Sequence, residues 1–486
     1  MAEAMKLRVR EVALHERPVR LRLPFRFGVV TLTQCPQAFA RVRIETQDGR
    51  SQWGAAAELM APKWFDKNLQ LSNEDNFEQL RESLRLARDA YVGGAPSTAF
   101  GHFLAHHAAH VQRCAAAGLN PLVAGFGPAL IDRAILDAVC RALGISFAQA
   151  IRGDVPGFVA SPLYADLDGF DLPGFFAGLA PSDTIAARHT VGMVDPITRA
   201  DQTHRVDDGL PESLDEVVQR YGHRHFKLKV GGHVDADLER LAAIASVLDA
   251  LAGDYRATLD GNEQYDDVDG VMELWRRMKA DPRLAQLARR VIFVEQPIKR
   301  AAALSRDVSA LAAEVPVIID ESDDSFDAFP RATELGYSGV SSKTCKGIYK
   351  SLINRARCEW RNRVDGRPGA PLEQGRWFMS AEDLTIQAGL ALQQDLALVS
   401  LLGITHVERN GHHYVNGMRG VPAAEQKAFL AAHPDLYERS FEATRVAIRN
   451  GRLAIGSLQC PGFASAAMPD WDSMTRMPER AIRGRG

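Results

Sequence analysis

Eight short β-rich runs alternate with helical stretches between about Ile185 and Val415, and this alternation constrains the fold more than any other feature. The runs are AARHTVGMV, HFKLKV, RATLD, VIFVEQP, VPVIID, YSGVSSK, RWFMS and GITHVE. Amphipathic stretches such as DADLERLAAIASVLDAL lie between most of them. A helix after each strand supplies the crossover that parallel strands need. Eight such units favour a closed β/α barrel over an open sheet, although periodicity alone does not separate the two.

The segments on either side of the alternation have other patterns. LRVREVALHERPVRLRLPF alternates polar and apolar residues, and FARVRIETQDGRSQWGAAAE holds an Asp-Gly turn, which together predict an antiparallel meander. A helical stretch at 73–117 and a helix ending at Gly144 follow. VAIRNGRLAI predicts a late strand pair joined by Asn-Gly. We predict an α+β domain at 1–155, a barrel at 156–415, a C-terminal segment at 416–486 and an inserted loop near 364–375.

Composition excludes several classes of protein. The formal charge of −3 argues against a nucleic-acid binder held by a basic surface. The six cysteines form no CxxC pair, so zinc-ribbon and thioredoxin-like folds have no support. The N-terminus has no apolar signal region, and no stretch is long enough to span a bilayer. We expect a cytoplasmic enzyme with a small-molecule partner, no membrane partner and possible self-association.

Charged residues stand at the ends of six of the predicted strands. They are Lys229, Asp260, Glu295, Asp320, Lys343 and Glu408. In a parallel barrel the carboxyl ends of all strands open onto one face, where active sites lie. The acids at the third, fourth and fifth strands would repel one another unless a cation neutralised them. Oxygen ligands alone suit a hard ion, so we predict that Asp260, Glu295 and Asp320 bind Mg²⁺, with Mn²⁺ as the second choice.

Two lysines are candidates for general bases. Lys229 and Lys343 come from strands on opposite sides of the predicted metal ligands. A nearby dication and a second lysine would lower a lysine pKa towards the range that a general base needs. Lys227 lies on the same strand face as Lys229. It is either the neighbour that tunes Lys229 and holds the anionic end of a substrate, or a partner of a buried carboxylate.

The histidines of HVERNGHH offer an alternative metal site. His406, His412 and His413 would have to converge on one ion. Adjacent residues of a strand point to opposite faces, so His412 and His413 do not readily share a ligand sphere. We therefore favour the carboxylate site over a zinc site.

The order of these motifs resembles the enolase superfamily over nearly the whole chain. FKLK is similar to its Lys-x-Lys strand, LDGN to its first metal-ligand strand, VEQP to the second and IIDES to the third. SSK is similar to the sixth-strand lysine of the muconate-lactonising subgroup. The seventh strand, RWFMSAEDL, lacks a terminal histidine, which separates the chain from mandelate racemase-like members and from many sugar-acid dehydratases. The two lysines point instead to cycloisomerases, racemases and epimerases.

The resemblance implies an α/β fold in which an α+β cap covers a modified (β/α)₇β barrel. It also implies Mg²⁺-assisted removal of the proton α to a carboxylate through an enediolate. In that scheme Lys229 and Lys343 serve opposite faces, Lys227 assists, and Glu408 hydrogen-bonds the intermediate if protonated, unless it pairs with Arg409. Asn262, Gln296, Phe25 and Trp53 are expected around the substrate. A dehydratase on the same site, and a non-catalytic metal-binding or ligand-binding relative, are the alternatives.

Overall fold

The computed structural model describes residues 5–369, 375–384, 387–410 and 413–479. The strands are β1 (Leu7–Phe27), β2 (Val30–Thr46), β3 (Ser51–Leu59), β4 (Thr184–Val191), β5 (His225–Lys229), β6 (Arg256–Asp260), β7 (Val291–Glu295), β8 (Val317–Ile319), β9 (Gly339–Ser342), β10 (Phe378–Ala381), β11 (His406–Glu408), β12 (Tyr437–Ser440), β13 (Ala443–Val446), β14 (Arg452–Ala454) and β15 (Thr475–Arg476). The helices are α1 (Asn73–Tyr91), α2 (Ala99–Ala116), α3 (Pro121–Leu143), α4 (Phe147–Arg152), α5 (Leu172–Ala177), α6 (Leu214–Tyr221), α7 (Val234–Leu248), α8 (Val268–Ala280), α9 (Ala285–Arg290), α10 (Arg300–Ala303), α11 (Ser309–Ala312), α12 (Ala328–Glu334), α13 (Ile348–Val364), α14 (Leu390–Leu401) and α15 (Ala423–Ala432).

The alternating region forms a closed parallel barrel. Strands β4 to β11 pair in chain order, and β11 closes the ring by pairing in parallel with β4. Each of the eight β-rich runs of the sequence contributes one strand, and the strand interiors are almost wholly buried. A strand buried on both sides reads as an apolar run, which is why these segments were visible in the sequence. The predicted barrel is confirmed.

The N-terminal segment forms a cap whose meander is also confirmed. β1, β2 and β3 are antiparallel, and Glu45 pairs with Ser51 across the Asp-Gly turn. Helix α3 packs against this sheet so closely that a Cβ atom on Gly54 would lie 2.2 Å from the carbonyl oxygen of Ala134. The helical stretch at 73–117 is two helices, α1 and α2, separated at 92–98, and α3 begins at Pro121 behind an Asn120 cap.

A buried contact ties the cap to the barrel mouth. Glu58 at the end of β3 pairs with Arg133 of α3 at 3.0 Å, and both side chains are inaccessible to solvent. The same carboxylate accepts a hydrogen bond from Thr344 Oγ1 at 3.0 Å. Because Thr344 follows Lys343, this contact sets the position of the sixth-strand lysine relative to the cap.

The C-terminal segment returns to both parts of the fold. β14 adds to β4 in antiparallel orientation, and β15 pairs with β1 of the cap. The strand pair predicted around Asn450 and Gly451 is wrong in its pairing. Asn450 and Gly451 do form a turn with positive φ, but the pairing across it is a single bridge between Arg449 and Arg452. The preceding strand, β13, pairs with β12 instead. Within the described ranges, no helix is both long and apolar enough to cross a membrane.

Candidate active site

The strand ends bring a dense set of charged side chains together inside the barrel mouth. Lys227, Lys229, Asp260, Glu295, Asp320, Lys343 and Glu408 are each at most 6% exposed. Lysines and acids are almost never fully buried unless they are paired. The pairing pattern therefore decides what this set of residues does.

Lys227 is surrounded by four carboxylates. Its Nζ atom lies 2.9 Å from Asp260 Oδ2 and from Glu295 Oε2, 2.6 Å from Glu382 Oε2 and 3.1 Å from Glu408 Oε2. Burial lowers the pKa of Lys227, but the four carboxylates outweigh burial and hold the pKa well above its ordinary value. Lys227 is thus a permanent ammonium paired with buried acids, which is the second of the two roles weighed for it from the sequence.

Lys229 and Lys343 line one cavity from different strands. Lys229 Nζ lies 2.5 Å from Asp260 Oδ2, and Lys343 Nζ lies 2.5 Å from Asp320 Oδ2. Burial lowers the pKa of Lys343, but the Asp320 carboxylate reverses this and raises the pKa above the ordinary value. The lowered pKa expected from the sequence assumed a neighbouring dication, whereas the neighbour here is a carboxylate.

The three predicted metal ligands lie side by side at the ends of adjacent strands. Asp260 and Glu295 end β6 and β7 as register partners, and Asp320 directly follows β8. As their side chains stand, no three His, Cys, Asp or Glu residues within the described ranges converge in a geometry that would hold a metal ion. The physical reason is visible in the ion pairs, since each carboxylate is drawn onto a lysine ammonium.

The chemistry of the donors nevertheless fits a hard cation. Two buried oxygens here, Asn262 Oδ1 and Glu321 Oε2, accept no hydrogen bond, and Glu295 Oε2 has only its ion pair with Lys227 at 2.9 Å among the described residues. Burial, together with Asp260 and Glu382, raises the pKa of Glu295 well above its ordinary value. Buried oxygens that lack regular hydrogen bonds and have a surplus of negative charge around them are the donors that Mg²⁺ binds.

Glu408 is an ionised acceptor in this structure. It accepts hydrogen bonds from the Thr190 hydroxyl, from Lys227 and from the Asp383 N–H group at 2.9 Å. Burial raises the pKa of Glu408, but Lys227, Lys229 and Lys343 lower it further, so the net pKa lies well below the ordinary value. A protonated Glu408 is therefore not supported. Arg409 does not pair with its carboxylate either, because its guanidinium contacts Asp383 and Asp395.

Asn262 and Gln296 shape the mouth in different ways. Gln296 Oε1 accepts the Asp320 N–H at 2.9 Å and the Ser322 N–H at 3.1 Å, while its Nε2 donates to Ile298 O and Ser322 Oγ. Its amide is fully used in holding the segment that carries Asp320. Asn262 lines the cavity and donates to Glu321 at 3.2 Å. Both residues have positive φ, a strained backbone conformation that is common around active sites.

The cap closes the cavity with apolar rings. Phe25, Phe27 and Trp64 of the cap line it together with Leu384, which follows β10 of the barrel, leaving a space of about 20 Å³, enough for one water molecule. The Trp64 ring centroid lies 4.3 Å from Lys343 Nζ, and the Phe25 centroid lies 5.9 Å from Lys229 Nζ. Trp53, expected here from the sequence, instead packs in the cap sheet beneath the guanidinium of Arg41 at 4.4 Å. The neighbouring loop therefore supplies the tryptophan, because Trp53 lies within β3 and Trp64 lies beyond its end.

An ion-pair cluster holds the Trp64 loop on the barrel. Arg300 donates to the carbonyl oxygens of Trp64 at 2.7 Å and of Phe65 at 3.1 Å. The Glu263 carboxylate pairs with Arg300 and with Lys67, each at 2.8 Å. These contacts, which span the barrel and the cap, keep the mouth closed.

Sequence reasoning missed two residues at the centre of the site. Glu382 directly follows β10, where the search was for a histidine, although the strand-end rule applied equally to an acid. Arg188 lies inside the barrel on β4 and contacts Glu382, Ala381 O at 2.8 Å and His406 Nδ1 at 2.6 Å. The sequence does indicate a buried polar position here, because Arg188 and Thr190 are two residues apart and therefore lie on the same face of an otherwise apolar strand.

The histidines of the alternative site do not come together. His406 is buried against Arg188 and stacks on His225 with ring centroids 4.9 Å apart. His413 packs on the His189 ring and lies 3.6 Å from Asp195. His412 lies outside the described residues, as does part of the inserted loop at 364–375.

Comparison with known families identifies the barrel. Residues 209–359 match the family described as enolase C-terminal domain-like. This range includes the strand-end residues Lys227, Lys229, Asp260, Glu295, Asp320 and Lys343. This segment of the barrel belongs to the enolase C-terminal domain-like family. A comparison with curated proteins finds no match.

Several solved structures share the fold of this chain. The 2-chloromuconate cycloisomerase from Rhodococcus opacus 1CP has a TM-score of 0.58 at 18% identity, covering 96% of this chain and 98% of that chain. The dipeptide epimerase from Enterococcus faecalis V583, complexed with Mg and a dipeptide, has a TM-score of 0.52 at 16% identity, with coverages of 82% and 90%. An enolase from Bradyrhizobium, complexed with magnesium and mandelic acid, has a TM-score of 0.57 at 14% identity, with coverages of 97% and 98%. Identities this low establish the fold alone, in agreement with the capped barrel predicted from the sequence.

Proposed function

We propose that this protein removes the proton α to the carboxylate of a small molecule and returns a proton to the resulting enediolate, as a racemase, epimerase or cycloisomerase. The observation that carries the proposal is the position of Lys229 and Lys343, which line one closed cavity and flank a row of strand-end acids. Two ammonium or amine groups on either side of a bound carbon acid are what a two-base proton transfer requires.

Asp260, Glu295 and Asp320 would hold Mg²⁺, which supplies the positive charge that stabilises a substrate carboxylate and its enediolate. The cycloisomerase and epimerase structures that share this fold support the reaction class, and the magnesium in two of the solved relatives supports the metal.

The remaining chemistry belongs to residues of this chain. Lys229, as a neutral amine, takes the α-proton, and the electron pair of the broken C–H bond becomes the C–C double bond of the enediolate. Lys343, as an ammonium, donates a proton to the opposite face when the product is the other enantiomer. Lys227 remains charged throughout, since four carboxylates surround it, and keeps those acids in place. The Phe25, Phe27 and Trp64 rings exclude water and favour a substrate with an apolar substituent.

The test is proton exchange with solvent. The protein is incubated with Mg²⁺ in D₂O with a set of α-substituted carboxylates that carry apolar or aromatic substituents, and deuterium at the α-carbon is followed by NMR. We expect wash-in of deuterium with at least one substrate, and loss of wash-in for Lys229→Ala. Lys343→Ala is expected to retain exchange at one enantiomer and to lose interconversion of the two.

Lys299→Ala is the matched control, because Lys299 is an exposed lysine whose ion pair among the described residues is with the exposed Asp266. Loss of water from the substrate, without α-deuterium in recovered starting material, would indicate the dehydratase alternative. No exchange with any substrate would favour the non-catalytic relative.

A further inference from the structure

A second cavity lies at the opposite end of the barrel from the candidate active site. Its volume is about 610 Å³, within the range typical of small-molecule sites. It is lined by residues that precede strands or lie within the first three positions of strands, namely Arg256, Phe293, Pro316, Ser338, Phe378 and His406. Barrel enzymes build their active sites at the carboxyl ends of the strands, so a cavity at the amino ends is not part of the catalytic site.

The charge of this cavity is one-sided. Three arginines line it, Arg256, Arg367 and Arg376, and no carboxylate is found among its described lining residues. Among the described residues, the guanidinium groups of Arg256 and Arg367 have neither a hydrogen bond nor an ion pair. The guanidinium of Arg376 makes a long ion pair with Asp365, at 3.8 Å, and lies 4.8 Å from the centroid of the Trp377 ring. Like charges around one concave space raise its positive potential and attract an anion.

The floor of the cavity is apolar and aromatic. The rings of Phe293 and Phe378 lie 5.7 Å apart, and Met379 is buried beside them. Phe293 is supported from inside the barrel by Arg188, whose Cζ atom lies 5.7 Å from the ring centroid. Arg188 also donates to His406 Nδ1 at 2.6 Å, so His406 carries its proton on Nε2. A floor held by the barrel interior is preorganised for a flat apolar group.

We propose that this amino-terminal cavity binds a small aromatic carboxylate. The aromatic ring would lie on Phe293 and Phe378, and the carboxylate would accept hydrogen bonds from the guanidinium groups at the rim. Arginine suits this role because its planar fork matches a carboxylate in two parallel hydrogen bonds. The site is independent of the proposed catalytic chemistry, because it shares no lining residue with the active-site cavity.

The test uses 4-fluorobenzoate with the full-length protein in EDTA, so that a metal-dependent carboxylate site does not contribute. Fluorine NMR measures affinity, and hydrogen-exchange mass spectrometry locates the site. We expect saturable binding, with protection confined to peptides covering 256, 292–293, 309–316, 336–338, 376–379 and 406. The uncharged analogue 4-fluorobenzyl alcohol should bind at least about tenfold more weakly, as the loss of a charge-assisted hydrogen bond implies.

The decisive variant is Arg256→Gln combined with Arg376→Gln. Both residues are exposed, so folding is expected to be retained, and affinity should fall about tenfold or more. Arg439→Gln is the control, since Arg439 is an exposed arginine on β12. Unchanged affinity in the double variant, protection at other peptides, or no saturable binding in the wild type would each overturn the proposal.

Discussion

The Glu382 carboxylate lies 2.6 Å from Lys227 Nζ and also accepts a hydrogen bond from Arg188, so one buried acid joins two buried cations. All three side chains are at most 1% exposed. Glu382 therefore connects the barrel interior, through Arg188, to the lysine that lies between Asp260 and Glu295. The seventh strand is followed by a buried, paired acid, where mandelate racemase-like enzymes are expected to carry a histidine.

Replacing Glu382 by Gln removes the charge while keeping the shape of the side chain. Arg188 and Lys227 then lose a buried counter-charge, and breaking a buried pair from one side costs about 3 kcal/mol. We expect the free energy of unfolding in urea to fall by about that amount. Glu314→Gln, at the surface partner of Lys279, is the control and should change stability little. Equal effects of the two substitutions would contradict the role assigned to Glu382.

Trp64 is expected to act on the reaction through Lys343, whose ammonium lies over its ring. Trp64→Leu removes the cation–π contact, which in a desolvated site is worth about 2 kcal/mol. We expect kcat/KM for the proton-transfer substrate to fall by about 10- to 30-fold. Trp53→Leu provides the matched control, because Trp53 lies in the cap sheet away from the cavity. A similar loss in both variants would mean that the effect comes from cap stability alone.

We expect the ion pairs of Glu263 with Arg300 and Lys67 to control the opening of the active-site mouth. Glu263→Gln removes the charge that pairs with Arg300 and Lys67, so the loop carrying Trp64 loses its strongest electrostatic contacts with the barrel. Hydrogen exchange in peptides spanning 61–68 should become faster, while exchange in the α3 peptides stays the same. Glu239→Gln disrupts a comparable but exposed pair with Arg283 and should leave the loop unchanged. Unaltered exchange at 61–68 in Glu263→Gln would show that other contacts close the mouth.

The strand-end acids and lysines were predictable because position in a barrel strand determines position in space. Lys229, Asp260, Glu295 and Lys343 each follow an apolar run, and the closed ring brings such ends together. Arg188 was not predictable in the same way, because its partners Glu382 and His406 come from strands about 200 residues later. Which tryptophan closes the mouth also depended on where β3 ends, and strand boundaries are the least certain part of sequence-based prediction.

Protonation states were harder to predict than positions. Lowered pKa values for the two lysines follow from the sequence only if a metal lies beside them, but the pKa of a buried group depends on every charge within a few ångströms. Glu382 was not counted among the charges, and neither was Lys346, which lies 3.3 Å from Asp320 Oδ1. The residues at strand ends therefore indicate where the site lies, but they do not determine the protonation states of its side chains.

Because His223 is buried, we expect the free energy of unfolding to fall in acid. Its Nδ1 donates to Ala187 O at 2.9 Å, and its buried Nε2 has no hydrogen-bond partner, so burial lowers the pKa to about 4. Between that pKa and an unfolded value near 6.5, the unfolded chain binds more protons, so stability falls as the pH decreases. This residue alone should contribute a loss of about 3 kcal/mol by pH 4.

Urea unfolding at pH 7.5, 6.0 and 5.0 measures this dependence. His223→Gln should lower stability at pH 7.5 and give a shallower decline towards pH 5 than the wild type. His204→Gln, at an exposed histidine, is the control and should follow the wild-type slope. An identical slope in wild type and His223→Gln would show that other groups cause the acid sensitivity.

The most direct test of the account is the position of a bound divalent ion. Crystals grown with MnCl₂ and measured near the manganese absorption edge would give an anomalous map that marks the ion directly. We expect one strong peak at about 2.1 Å from oxygens of Asp260, Glu295 and Asp320, with Lys229 and Lys343 on either side of it. A map with no peak at these acids, or with the ion bound only elsewhere in the protein, would contradict the proposed metal-assisted proton transfer.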